Sequence, residues 1–153
     1  MSPSEAGRSR PTTATEAVES DQVGQILSIA LRTGHREPMA LVERTTARAG
    51  SGLVGDHGSS AQRGLTLIAS KQWHQINREL EASLPWHCRR ANVLVEASSL
   101  ANLIGQHLRI GPVRVHPGLF ATLVPDCRGG VYGRVIDDGA IQVGDPLILL
   151  QER

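Results

Sequence analysis

Aromatic residues are scarce: two tryptophans, one tyrosine and one phenylalanine make up 3% of the 153 residues. So few flat faces leave little for bases to stack on, which argues against single-strand nucleic-acid binding and makes the core aliphatic. Charge of one sign is also lacking. Sixteen basic and fifteen acidic residues give a formal net charge of +1, too small to draw the chain onto nucleic acid or a membrane surface. No apolar run reaches the length of a membrane span. The only cysteines are Cys88 and Cys127, and no apolar h-region follows the N-terminus, so a reducing cytoplasm is the expected compartment. Gly-x-Gly-x-x-Gly, Gly-x-x-x-x-Gly-Lys-Ser/Thr and Gly-x-Ser-x-Gly stretches are missing, leaving nucleotide binding and serine hydrolysis without a signal. The six histidines and two cysteines show no paired ligand spacing, so no metal site made of protein ligands is expected.

Residues 1–21 are small and polar, with Pro3, Pro11 and several Ser and Thr, and read as a disordered tail before a domain spanning 22–153. Val23 to Leu31 and Met39 to Arg44 read as strands. Between Thr45 and Gly64 five glycines predict a shaped loop near a ligand. Leu65 to Ala69 predicts a strand, followed by a helix capped by Ser70, with Trp73, Ile76, Leu80 and Leu84 at helical spacing until Pro85. Asn92 to Glu96 is a further strand, Leu100 to Gly105 a helical turn, and His107 to Val115 one or two strands. Pro117 to Val124 fits a helical turn but is too short for periodicity to decide. Val131 to Ile136, a turn at Asp137-Asp138-Gly139 and a return through Ile141 and Val143 predict a hairpin. After Gly144-Asp145-Pro146, the run Leu147 to Leu150 suits a closing strand buried on both faces. Many short strands, Gly-rich returns and one substantial helix predict a mainly β fold, a closed or partly open β-barrel with short helical turns.

From about Ile26 to Leu149 the motifs resemble the MOSC domain, named for the C-terminal part of molybdenum-cofactor sulfurase. The matching stretches are Gly52-Leu-Val-Gly-Asp-His57, Arg63-Gly-Leu-Thr-Leu-Ile68, Arg90-Ala-Asn-Val93 with Val95-Glu96, Leu103-Ile-Gly105 with Ile110-Gly111, Arg128-Gly-Gly-Val-Tyr132 and Gly139-Ala-Ile-Gln-Val-Gly-Asp145. The resemblance implies a small stand-alone barrel that binds a molybdopterin-type molybdenum cofactor. In many members a cysteine persulfide carries sulfur, which points to a cysteine desulfurase or a molybdoenzyme as partner. Such a desulfurase holds its own pyridoxal phosphate. Lys71, the one lysine here, shows no family motif for that cofactor. The family's cysteine segment is absent, because Val115 runs directly into His116-Pro117-Gly118-Leu119.

The expected cofactor-binding residues are Asp56, His57, Arg63, Arg90, Arg128, Gly129 and Gly130. A guanidinium beside glycines offers charge and close backbone N–H donors to a phosphate or oxyanion. The plainer reading makes the arginines solvated surface and Asp56 a turn residue. Cys127, beside Arg128, is the candidate sulfur nucleophile because neighbouring positive charge favours the thiolate. It equally suits a small buried hydrophobe. Two functions stay open: a sulfur carrier using Cys127, and a non-catalytic cofactor-binding barrel that has lost the family's cysteine segment.

Overall fold

The computed structural model describes residues 18–57, 60, 63–89, 91–97, 100–121 and 130–151. In chain order the strands are β1 (Val18–Arg32), β2 (Met39–Val42), β3 (Arg44–Arg48), β4 (Gly52–Leu53), β5 (Leu65–Ala69), β6 (Val93–Glu96), β7 (His107–Ile110), β8 (Val113–Ala121), β9 (Val131–Val135), β10 (Gly139–Gln142) and β11 (Pro146–Gln151). One helix, α1 (Ser70–Leu80), joins β5 to β6, and 3-10 turns cover Trp86–Arg89 and Ala101–Leu103.

Seven strands close on themselves in the order β11-β7-β8-β9-β5-β6-β1, with β1 pairing back to β11 and β2 added outside the ring. All pairs are antiparallel except β5 with β6, whose parallel register Leu67↔Val93 requires the α1 crossover between them. Alternation puts Leu65, Leu67, Val93, Val95, Leu108, Ile110, Val113, Val115, Val131, Val135 and Leu147 into one buried aliphatic cluster. The barrel is therefore packed with side chains. A ligand belongs at a rim or on the outer face.

The helix covers the outer face of β5 and β6. Ile68, Trp73 and Ala91 form a second buried cluster there, with Ile76, Trp86 and Leu94 against it. Two details differ from the sequence expectation. The N-cap is Ala69, with no side-chain cap bond, and Ser70 is already the first helical residue. The helix stops at Leu80, with Glu81 left-handed at φ 54, so Leu80 and Leu84 are exposed and do not extend the buried stripe. The stop is made by loop bonds: Asn77 Oδ1 accepts the Leu84 amide at 3.0 Å, and Trp73 Nε1 donates to the Leu84 carbonyl at 3.0 Å.

Other boundaries move for the same kind of reason, main-chain pairing with distant segments. β1 begins at Val18 instead of Val23, its polar start running alongside β11 from Val18↔Gln151 to Gly24↔Leu147. Residues 1–17 lie outside the described residues. The glycine-rich stretch after Thr45 is not wholly loop: β3 and β4 join β10 in a small second sheet, with Ala47 paired to both Leu53 and Gly139. Pro117 to Ala121 continues β8 as strand instead of turning into helix. Its register against β9 slips between Val131 and Gly133, where Pro117 has no N–H to give.

The predicted hairpin does not form. β9 pairs with β5 and β8, whereas β10 leaves to pair with β3. The intervening acidic residues make tertiary contacts that redirect the chain. Asp137 accepts Arg114 Nε at 2.8 Å, Nη2 at 2.9 Å and the Arg114 amide at 3.0 Å. Asp138 accepts the Ala49 amide at 2.7 Å. The bonded Arg114 guanidinium holds the Asp137 carboxyl below its ordinary value, against a smaller opposing effect of burial. β11 then fills the gap between β7 and β1, closing the ring as the apolar run Leu147 to Leu150 predicts.

Candidate functional site

Asp56 and His57 follow β4 on the side of the barrel where β5 and β6 begin and β1 ends. The chain reaches Asp56 through Gly55, which has φ +89 and lies against Leu31, a conformation that favours glycine. Asp56 Oδ1 accepts the Arg32 amide at 2.7 Å and Asn92 Nδ2 at 3.0 Å, and the His57 amide donates to the Arg32 carbonyl. Asp56 Oδ1 thus ties distant segments together instead of capping a local turn. The His57 side chain is exposed. Arg63 is exposed too, with its guanidinium carbon 4.5 Å from the centre of the Tyr132 ring, a cation–π arrangement.

Asn92 is the residue that sequence reading passed over. Although polar, it is 5% exposed. Its Nδ2 donates to Ala30 O at 3.2 Å and to Asp56, while Oδ1 accepts the Thr66 amide at 3.0 Å. One amide therefore links β1, β5 and the Asp56 loop. A short polar side chain before a β-branched strand gave no periodic signal for this role.

Gly130 sits toward the opposite end. β9 runs antiparallel to β5 with Val131↔Leu67 and Gly133↔Leu65, so Gly130 lies toward the end where β5 gives way to α1. A Cβ there would stand 2.7 Å from the Leu67 carbonyl oxygen, and φ is +108, so only glycine fits. Cys127, Arg128, Gly129 and Arg90 lie outside the described residues. Among the described candidates, Asp56 and His57 adjoin Arg32, Arg63 stacks on Tyr132, and Gly130 lies against Thr66 and Leu67, two residues before that same tyrosine.

The end where β5 gives way to α1 holds a cleft of about 760 Å³ lined by Gln22, Gln25, Ser70, Lys71, His74 and Glu96, with Val23, Gly24 and Ala97 completing the wall. Its position follows from the topology. β1 runs past the end of β6 at Gln25↔Glu96, and α1 starts directly above the parallel pair. The first turn of α1 carries no acidic residue, and its N-cap residue Ala69 makes no side-chain cap bond. Gly24 packs its backbone onto the Glu96 carbonyl, which brings the two strands close at the cleft wall. The sequence signal was available in Ser70-Lys71 at a strand-to-helix junction, but helix periodicity directed attention to the buried face. No group of three or more His, Cys, Asp or Glu among the described residues is placed to hold a metal ion. No helix among them is long and apolar enough to cross a membrane.

No protein-family profile matches the chain, and no curated protein sequence matches it. Solved structures do. The YuaD protein from Bacillus subtilis superposes with a TM-score of 0.66 at 13% identity, over 85% of this chain and 97% of that one. YiiM from Geobacillus stearothermophilus gives 0.66 at 14% identity, over 84% of this chain and 75% of its own. YiiM from Escherichia coli gives 0.59 at 15%, over 86% and 70%. YuaD and YiiM are MOSC-domain proteins, and at these identities the likeness concerns architecture alone: the chain has a MOSC-like fold.

Proposed function

We propose that this barrel binds a molybdopterin-type cofactor in the cleft at the start of α1. The observation carrying the reading is that a polar cleft of cofactor size, about 760 Å³, opens at the uncapped end of α1 on a MOSC-like barrel. The donor set suits the group. Lys71, the Ser70 hydroxyl and the first-turn N–H groups are what a phosphate requires, since helix N-termini favour anions. Glu96 opposes an anion, but its carboxylate accepts hydrogen bonds from the amino and ring N–H edge of a pterin, and Gln22 and Gln25 offer both donor and acceptor amides. In this reading the phosphate lies toward α1 and the pterin toward β1 and β6. When bound, the cofactor supplies a molybdenum centre for oxygen, sulfur or electron transfer. The chain's own residues bind and orient it.

Sulfur carriage is the finer reading, and it assigns the sulfur to Cys127, three positions before Gly130 in sequence. Its thiolate would attack the outer sulfur of a cysteine desulfurase persulfide, forming the Cys127 persulfide and releasing the desulfurase thiolate. What favours it is the Cys127-Arg128-Gly129-Gly130 sequence leading to the end of the barrel that holds the cleft.

The test is a fluorescence titration with molybdopterin released from a molybdoenzyme, comparing wild type with Lys71→Ala, Glu96→Gln and Arg63→Ala. Lys71→Ala should weaken binding about tenfold, roughly 1.4 kcal/mol for a charge-assisted contact. Arg63→Ala, outside the cleft wall, should leave it unchanged. Loss of binding in Arg63→Ala alone would move the site to Arg63, and no binding by wild type would remove the cofactor reading.

A further inference from the structure

Both tryptophans of this aromatic-poor chain line one hollow beside the cofactor cleft. It measures about 640 Å³ and lies between α1 and the loop that returns from it, walled by Trp73, Leu84, Pro85, Trp86 and Leu94. The wall is fixed in place. Asn77 accepts the Leu84 amide at 3.0 Å and donates to the Trp73 carbonyl at 3.2 Å, while Trp73 Nε1 donates to the Leu84 carbonyl at 3.0 Å. These bonds hold the loop against the helix, so the wall is ordered by the chain itself and little ordering remains for binding to impose. Leu84, whose main chain is tied down, still leaves its side chain 47% exposed at the mouth. A leucine held exposed by its own backbone bonds is more than a scattered surface apolar group.

We infer that this hollow is a binding site for a small, uncharged aromatic molecule of one or two rings. Each property of the occupant comes from the walls. Trp86, Pro85, Leu84 and Leu94 present apolar and flat surface, which favours a ring system over a flexible polar chain. The charges at the edge are Arg78 and Glu81, one of each sign, so no net field selects an ion. The volume falls within the range of small-molecule sites, and a pinned loop bounds the hollow, which suits a compact ligand better than a helix or an extended peptide. Ser70 and His74 line both this hollow and the polar cleft. The two cavities therefore share part of one wall. The inference stands on the hollow itself and does not depend on which cofactor the neighbouring cleft takes.

Quinoline is a suitable probe, titrated into the full chain while amide and indole N–H signals are followed by NMR. Saturable shifts should appear at the Trp73 and Trp86 indoles and the Leu84 amide, with micromolar to low-millimolar affinity. Leu84→Asp should weaken binding at least tenfold, and Leu41→Asp, a change at a more exposed leucine on β2, should not. Lys71→Ala should bind quinoline as wild type does even if it loses the pterin, which separates failure of this inference from failure of the cofactor reading. Shifts absent at millimolar quinoline, spread over the surface, or indifferent to Leu84→Asp would overturn the inference. Because Leu84 is exposed, its aspartate variant should fold, and the unshifted barrel amides report that directly.

Discussion

The side-chain nitrogen of Asn92 lies 3.0 Å from the Asp56 carboxylate and 3.2 Å from the Ala30 carbonyl, while its oxygen takes the Thr66 amide. Both ends of one buried amide are committed to partners on three different segments. Asn92→Ala leaves the Thr66 amide and the Ala30 carbonyl short of a partner and should cost about 2 kcal/mol in urea unfolding. Asn92→Asp should cost more, about 3 kcal/mol, because it turns an oxygen toward the Ala30 carbonyl and a second carboxylate toward Asp56. Equal stability of Asn92→Asp and wild type at neutral pH would show that the linkage is not made.

The Arg114–Asp137 pair predicts a specific pH dependence. The Asp137 carboxyl is held below its ordinary value when folded, so its contribution is complete above the unfolded value and disappears as pH falls through the folded one. With the side chains 50% and 30% exposed, solvent screens the pair, and about 1 kcal/mol or less is expected. Asp137→Asn should therefore be less stable than wild type at pH 7 by that amount. The two should converge in acid, below the usual carboxylate range, and also approach one another in 1 M salt. A difference that grows on acidification would contradict the sign.

Gly24 should tolerate no side chain. A Cβ would fall on the Glu96 carbonyl oxygen, a backbone atom that cannot swing aside. Gly24→Ala should destabilise by about 3 kcal/mol, at the upper end of overpacking penalties, and should also weaken any ligand of the cleft it lines. Gly50→Ala makes the comparison, since nothing lies within 4 Å of its Cβ and only the φ of +71 is strained. It should cost about 1 kcal/mol and leave the cleft unaffected. Thermal unfolding of both variants distinguishes steric contact from backbone strain.

Sulfur loading gives the clearest outcome for Cys127. After incubation with a cysteine desulfurase and cysteine, intact-protein mass spectrometry should find one added sulfur on wild type and on Cys88→Ser, and none on Cys127→Ser. Sulfur retained by Cys127→Ser would assign it elsewhere. A wild type that stays unloaded beside a loaded MOSC control would leave the non-catalytic binding barrel as the function.

Within the candidate site, the sequence marked Gly130 and Asp56 for reasons that differ in the structure. Gly130 is fixed by its own backbone, with positive φ and a carbonyl against the missing Cβ, and glycine spacing made it visible. Asp56 is visible in the sequence as a ligand group, and the structure adds that its Oδ1 accepts from Arg32 and Asn92, residues far from it in the chain. Lys71 and His74 reach the cleft because α1 starts above β5 and β6 while β1 extends beyond them, a relation that joins Gln25 to Glu96 across most of the barrel's sequence.

What the sequence determined by itself is local: strands where apolar residues alternate, as in Leu65 to Ala69 and Val131 to Val135, turns at Gly105 and Gly144, and an aliphatic interior imposed by the shortage of aromatics. Side-chain period and positive φ are properties of a few adjacent residues, so they can be read without knowing the fold. Partner choice was decided by the tertiary structure. The turn residues Asp137-Asp138-Gly139 permit a hairpin, but β9 pairs on both edges by lying between β5 and β8, and Arg114 and Ala49 donate to the two carboxylates. Pairing energy depends on which strand edges remain open once the ring closes, and that is a property of the whole barrel.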